Sequence, residues 1–253
     1  MDKGAALVTG ASSGIGRAVV ASLAGAGWQV HALARRADRL AALERQTGCV
    51  PHAADVRDGA AMERLMQGLA PDLLVNNAGL GAGITGLTGA SRAEIAQTIE
   101  TNVTAVLDLL RLTLPGMVAR RRGHVVNIGS VAGLYPLVSA VYGASKGAVR
   151  LMSQNLRLEL RGSGVRVTEI CPGRVATEFY DAAVADPDRR AKLKHTGIRE
   201  LTPEDIAEAI LYAVSAPPHV NVSTIELQPL EQSFGGLHLD PVDWSEIDPE
   251  GSE

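Results

Sequence analysis

Thr9-Gly10-Ala11-Ser12-Ser13-Gly14-Ile15-Gly16 joins a short apolar run, Ala5 to Thr9, to a helix-forming stretch from Gly14 to Gly25. Strand, glycine-rich turn, helix is the arrangement in which a backbone turns tightly and approaches a pyrophosphate. The helix N-terminus then offers free N–H groups and a positive dipole to the phosphates. The spacing is G-x-x-x-G-x-G rather than the G-x-G-x-x-G of many dinucleotide folds.

Outward from this turn the pattern repeats. Trp28 to Ala34, Cys49 to Ala53, Asp72 to Asn76, His124 to Ile128, Val165 to Cys171 and Val222 to Gln228 read as further strands. Between them, Arg36 to Gln46, Ala60 to Leu69 and Ala140 to Leu160 read as helices. Ser91-Arg92-Ala93-Glu94 is a capping box, so a long helix is predicted from there towards Arg120. Thr202-Pro203-Glu204-Asp205 starts another, with Thr as N-cap and Pro in the first helical position. Alternating strands and helices predict an α/β fold, a Rossmann-type doubly wound sheet of about seven parallel strands with helices on both faces. Residues 1–239 read as one such domain. Within it, 178–201 is a charged, helix-prone insertion expected to be a substrate lid, and the acidic tail 240–253 reads as a frayed terminus.

Bulk composition narrows the function classes. The 253 residues are 46% hydrophobic, 21% charged and only 3% aromatic, so the core must rest on Ala, Val, Leu and Ile. The net charge of -4, with basic residues scattered among acidic ones, does not fit a nucleic-acid binder. No uninterrupted apolar stretch reads as a membrane span, and no signal peptide is visible, so a cytoplasmic location is expected. Cys49 and Cys171 read as buried free thiols. His195 has no ligand-like partner near it in sequence, so no metal site is expected.

The second strand ends at Arg35-Arg36, where an acidic residue would bind the ribose of NAD and arginine accommodates the 2′-phosphate of NADP. The pair therefore points to NADP; the competing reading is two solvated residues at a helix start. Asp55 is placed to accept from the adenine amino group, or is a plain loop aspartate. Val141-Tyr142-Gly143-Ala144-Ser145-Lys146 sets a phenol and an ammonium on one helix face. Side by side, the ammonium is expected to lower the phenol's pKa towards a useful range.

Asn76-Asn77-Ala78-Gly79, Asn127-Ile128-Gly129-Ser130 and Pro172-Gly173-Arg174-Val175-Ala176-Thr177 all follow strands, at the edge where open α/β sheets bind ligands. Together with T-G-x-x-x-G-x-G and Y-x-x-x-K, they resemble the short-chain dehydrogenase/reductase family over nearly the whole chain. The resemblance implies roles. Tyr142 would be the general acid or base, Lys146 its partner and the holder of the nicotinamide ribose, and Ser130 the group that binds the substrate oxygen. Asn102 would anchor a water leading from Lys146 to solvent. Gly10, Ser12, Ser13, Gly14, Ile15 and Gly16 would line the cofactor phosphates and adenosine. Val56, Asn77, Ala78, Gly79, Pro172 and Gly173 would flank the cofactor, and Val175 and Thr177 would hold its carboxamide. A homotetramer, pairing the helices Ser91 to Arg120 and Ala140 to Leu160, is also implied.

Gly123 to Ser130, Val165 to Thr168, Leu201 to Asp205 and Pro218 to Glu226 resemble one subgroup more narrowly. It contains NADP-dependent 3-hydroxy acid dehydrogenases acting on serine and allo-threonine, and sulfoacetaldehyde reductases. The chain departs from it where substrate is read: a shorter Ser130-to-Tyr142 interval, a different Leu134-Tyr135-Pro136-Leu137 stretch, and Arg174 in place of an apolar residue. Arg174 could pair with a substrate carboxylate or sulfonate, form a salt bridge at the cleft rim, or touch the cofactor diphosphate. Arg189, Arg190, Lys192, Lys194 and His195 read as a solvated lid face. Three readings follow: an NADP-dependent oxidoreductase of a small anionic alcohol or carbonyl, a ketoreductase of a bulkier intermediate, and a non-catalytic NADP sensor.

Overall fold

The computed structural model describes residues 3–84, 86–184, 186–233, 239–242 and 244–247. Seven parallel strands form one sheet in the order β3-β2-β1-β4-β5-β6-β7. They are β1 (Ala5–Thr9), β2 (Gln29–Ala34), β3 (Val50–Ala53), β4 (Leu73–Asn76), β5 (Gly123–Ile128), β6 (Val165–Pro172) and β7 (Thr224–Leu227). The order reverses between β1 and β4, where Val8 pairs with Ala32 on one side and Val75 on the other. A crevice opens above the carboxyl ends of the strands at such a reversal.

Alternation along each strand builds two cores. Ala6, Val8, Leu73, Val75, Val126 and Ile170 face one side, against helices α1 (Gly14–Gly25), α2 (Ala37–Thr47) and α9 (Pro203–Ser215). Leu7, Leu74, Val125 and Val167 face the other, against α3 (Gly59–Gln67), α5 (Ala105–Ala119) and α6 (Ala140–Glu159). Burial on both faces explains why the strands read as continuous apolar runs.

The helix predicted from Ser91 is interrupted. Ser91 closes the expected capping box with Glu94 and opens α4 (Arg92–Ile99). A π-helical turn, Glu100–Thr104, then carries the chain into α5. By length and composition the stretch Arg92–Ala119 could cross a membrane, contrary to the sequence expectation, because its apolar window carries few charges. Part of that apolar surface is accounted for by packing: Val106, Leu109, Leu110 and Met117 are buried in the second core. Thr202 and Asp205 form a capping box at the start of α9.

After β6 come two short helices, α7 (Phe179–Ala183) and α8 (Pro187–Lys194). The described part of the tail carries α10 (Trp244–Ile247), and it is held rather than frayed. Glu231 accepts hydrogen bonds from the backbone N–H groups of Arg199 and Val242 and from the Trp244 indole, and the Arg199 guanidinium lies 4.9 Å from the Trp244 ring centre. A buried carboxylate with several donors explains why an acidic tail docks. Both cysteines are free and buried.

Candidate active site

One cleft of about 650 Å³ runs along the carboxyl ends of β1, β2, β4, β5 and β6. Its wall includes Gly10, Ser12, Ser13, Gly14, Ile15, Arg35, Arg36, Asp55, Val56, Asn77, Ala78 and Gly79 at one end. Ser130, Tyr142, Lys146, Pro172, Gly173, Arg174, Val175 and Thr177 complete it at the other. Gly16 and Asn102 are absent from the wall.

Gly16 acts from below. A Cβ there would stand 2.3 Å from the Gly10 carbonyl oxygen and 2.5 Å from the Asn77 amide nitrogen, so only glycine lets α1 pack this close to the turn. Gly10 itself sits at φ +67, in the left-handed region. Asn77 is tied to the same turn, donating through Nδ2 to the Thr9 carbonyl at 2.9 Å. The Ser13 side chain makes no capping bond at the start of α1, and the first turn holds no acidic residue. This helix end fits a phosphate, and Arg35 and Arg36 on the wall supply positive charge.

Arg36 reaches back over the turn. Its Nε and one terminal nitrogen donate to the Ser12 hydroxyl at 3.0 and 2.9 Å, and the same terminal nitrogen donates to Ser13 at 2.7 Å. Its other terminal nitrogen donates to Glu178 at 3.2 Å. Asp55 is gripped by Arg57, with the shortest contact at 2.7 Å, and these hydrogen bonds hold its carboxyl below the usual range. The Asp55 carboxylate thus has a protein partner already, which the adenine reading did not foresee.

At the chemical end, α6 presents Tyr142 and Lys146 as predicted, but the electrostatics differ from the expectation. Burial pushes the Tyr142 phenol up to about 12, with the Ser130 hydroxyl working in the opposite direction. Lys146 does not hold the phenol down: its Nζ stands 5.8 Å from the ring centre and donates to the Ile128 carbonyl at 2.8 Å. Burial pulls the Lys146 ammonium down to about 8, opposed by Cys171 and Glu169. Desolvation outweighs the Ser130 hydrogen bond at Tyr142 and the neighbouring charges at Lys146. The Ser130 hydroxyl accepts from the Ala132 N–H at 3.1 Å, which fixes the turn after β5.

Asn102 is buried in the π-helical turn. Its Oδ1 accepts from the Leu80 N–H and its Nδ2 donates to the Leu80 carbonyl, each at 2.8 Å. Nδ2 also donates to Ser145 at 2.9 Å, and Ser145 donates to the Tyr142 carbonyl at 2.7 Å. Asn102 therefore braces the segment after β4 against α6, rather than lining the cleft.

Arg174 is spent within the protein. It pairs with Glu200 at 2.7 Å, donates to the Tyr180 hydroxyl at 3.1 Å and to the Leu193 carbonyl, and lies 5.0 Å from the Tyr180 ring centre. Its donors clamp α7 and α8 to the end of β6, so the rim salt bridge, not a substrate anchor, is what the geometry supports. Lys194 and Arg190 meet Asp181 at 2.9 and 3.7 Å, which makes the supposed solvated face partly an ion-paired one.

Phe179 escaped the sequence reading. Its ring lies 5.4 Å from that of Tyr142, and the Tyr180 ring meets it edge-on at 5.4 Å. In a chain with only two Phe and four Tyr, adjacent aromatics in a charged stretch were the available signal.

A glycine-rich phosphate cradle and a Ser, Tyr and Lys set in one cleft define a nucleotide-dependent oxidoreductase on a parallel α/β sheet. The chain belongs to the short-chain dehydrogenase family, whose model matches residues 4–188. It is 42% identical over 242 residues to the NADP-dependent 3-hydroxy acid dehydrogenase YdfG of Salmonella typhi, covering 92% of this chain and 98% of that one. It is 36% identical to the serine 3-dehydrogenase of Rhizobium radiobacter, covering 93% and 98% respectively. Among solved structures it superposes on the closed form of serine dehydrogenase complexed with NADP+, with a TM-score of 0.88, 39% identity, and coverage of 94% of this chain and 100% of that one.

Proposed function

We propose that the protein interconverts a small 3-hydroxy acid, or a related anionic alcohol, and its carbonyl form, using NADP. The observation that carries the reading is one cleft with Arg35 and Arg36 at one end and Ser130, Tyr142 and Lys146 at the other. The relatives named for 3-hydroxy acids and serine supply the substrate class. NADP, when bound, supplies or takes the hydride. Ser12, Ser13, Arg35, Arg36 and the start of α1 would hold its phosphates.

The chain's own residues handle the proton. A phenol at about 12 stays protonated at neutral pH, so Tyr142 donates to the carbonyl oxygen in reduction. In oxidation it must accept the alcohol proton. The Ser130 hydroxyl then favours the deprotonated form. Ser130 also donates to the oxygen on which negative charge grows. Phe179 against Tyr142 screens the ring from water.

The test is NADP+ reduction with serine, allo-threonine and 3-hydroxyisobutyrate, run beside Tyr142→Phe. Wild type should turn over at least one of the three. The variant should lose about a thousandfold or more in rate while binding NADP+ within about twofold of wild type. Equal turnover by both proteins would remove Tyr142 from its role, and silence with intact NADP+ binding would remove the substrate class.

A homotetramer in the cytoplasm belongs to the same reading. Leu107 on α5 and Leu151 and Leu158 on α6 are each at least half exposed, which supports a helix-paired interface. Light scattering of a monomer at micromolar concentration would contradict it.

A further inference from the structure

Glu178 opens the lid, as the residue before α7, yet its side chain turns back to the adenosine end of the cleft. One carboxylate oxygen accepts from Arg36 at 3.2 Å and from Arg39 at 2.8 Å, and the second accepts from Arg39 at 2.8 Å. Arg39 lies in the first turn of α2. The carboxylate is therefore an anion seated between two guanidiniums. It stands beside the Ser12 and Ser13 hydroxyls that Arg36 also binds. The neighbouring arginines hold its carboxyl below the usual range, so it is charged at neutral pH.

We propose that Glu178 is the internal competitor of the cofactor's 2′-phosphate for Arg36 and Arg39, and that it thereby sets how strongly the cleft prefers the phosphorylated cofactor. This rests on the NADP reading above. The chemistry of the two anions is alike: planar, forked N–H donors match carboxylate and phosphate oxygens equally well. A phosphate monoester carries close to two negative charges at pH 7, against one on the carboxylate, so it wins the arginines. With both anions at the same donors the repulsion is large, so the carboxylate must turn away. It can do so, because half of its side chain faces solvent.

Exposed ion pairs of this kind contribute about 0.2–1 kcal/mol, which converts to a competition of roughly 1.4- to 5-fold in affinity. The test measures binding of adenosine 2′,5′-bisphosphate and adenosine 5′-monophosphate by calorimetry, to wild type and to Glu178→Gln. The amide keeps the shape and removes the charge. The bisphosphate should bind the variant about threefold tighter, with the monophosphate unchanged. Arg39→Gln in the Glu178→Gln background should then lose the gain, since the released guanidinium is what the phosphate takes.

Unchanged or weaker bisphosphate binding by Glu178→Gln would overturn the proposal, as would an equal gain for both nucleotides. If wild type itself binds the bisphosphate no tighter than the monophosphate, the NADP reading falls and this proposal falls with it. If wild type prefers the bisphosphate and the variant gains nothing, only the role of Glu178 is lost.

Discussion

The buried titratable side chains Tyr142, Lys146 and His124 are governed more by water exclusion than by the groups beside them. Tyr142 and Lys146 illustrate this: spacing alone placed them on one helix face, but their protonation depends on burial that spacing does not encode. His124 on β5 is the extreme case. Its Nε2 bonds the Thr168 hydroxyl at 2.8 Å, and that hydroxyl donates to the Val222 carbonyl at 2.6 Å. The hydroxyl proton is thus committed, so Nε2 carries the imidazole hydrogen and Nδ1 is left without a partner. Burial pushes the imidazole down to about 3, with Arg166 adding to it. A group depressed in the folded state contributes stability above its ordinary value of 6.5, lost as pH falls through the folded value. By pH 4.5 the expected loss is roughly 2–3 kcal/mol. His124→Gln keeps a donor for Thr168 and removes the titration. Urea unfolding at pH 7 and pH 4.5 should then show a smaller gap than in wild type by about that amount.

Elements were the most legible level. The strands, α1 and α6 lie within a residue or two of their expected bounds and α9 starts where expected, because glycine turns, a capping box and apolar runs mark them. The π-helical turn was not legible. Nothing local in Glu100-Thr101-Asn102-Val103-Thr104 distinguishes it from α-helix; it is stabilised by Asn102 bonding both backbone groups of Leu80 across space. Asn102→Ala would orphan those groups and cut the link through Ser145 to α6. The expected cost is about 2–3 kcal/mol in urea unfolding. Asn102→Asp should be no better, since it replaces two donors by a buried negative charge. Stability equal to wild type in the alanine variant would show that water or backbone movement satisfies Leu80 instead.

For the whole molecule, a parallel sheet covered on both faces and a cleft at its carboxyl edge followed from the alternation of strands and helices, whereas the strand order and the contacts of 178–201 did not. Residues 178–201 read as a charged, helix-prone insertion, but its anchors were not legible because they lie outside it or far along it: Glu178 meets Arg36 and Arg39, and Arg174 meets Glu200 and Leu193. Arg174 was legible as unusual, but its bonding was not, since five donors can be met by a ligand or by the fold. Arg174→Leu should release α7 and α8. Trypsin should then cut within Pro187–Lys194 at least about fivefold faster, with adenosine nucleotide binding little changed. Cleavage at the wild-type rate would mean that the Asp181 ion pairs suffice to hold α7 and α8.

The tail contact carries a practical consequence. The chain has two tryptophans. Trp28 packs against the core beside β2, while Trp244 shares Glu231 with the Arg199 backbone, next to the Glu200 that grips Arg174. Indole emission therefore comes from two sources, one in the core and one beside the segment that follows α8. Replacing Trp28 by phenylalanine would leave a single built-in lamp, and its colour and brightness would report the posture of α7 and α8 with no dye attached.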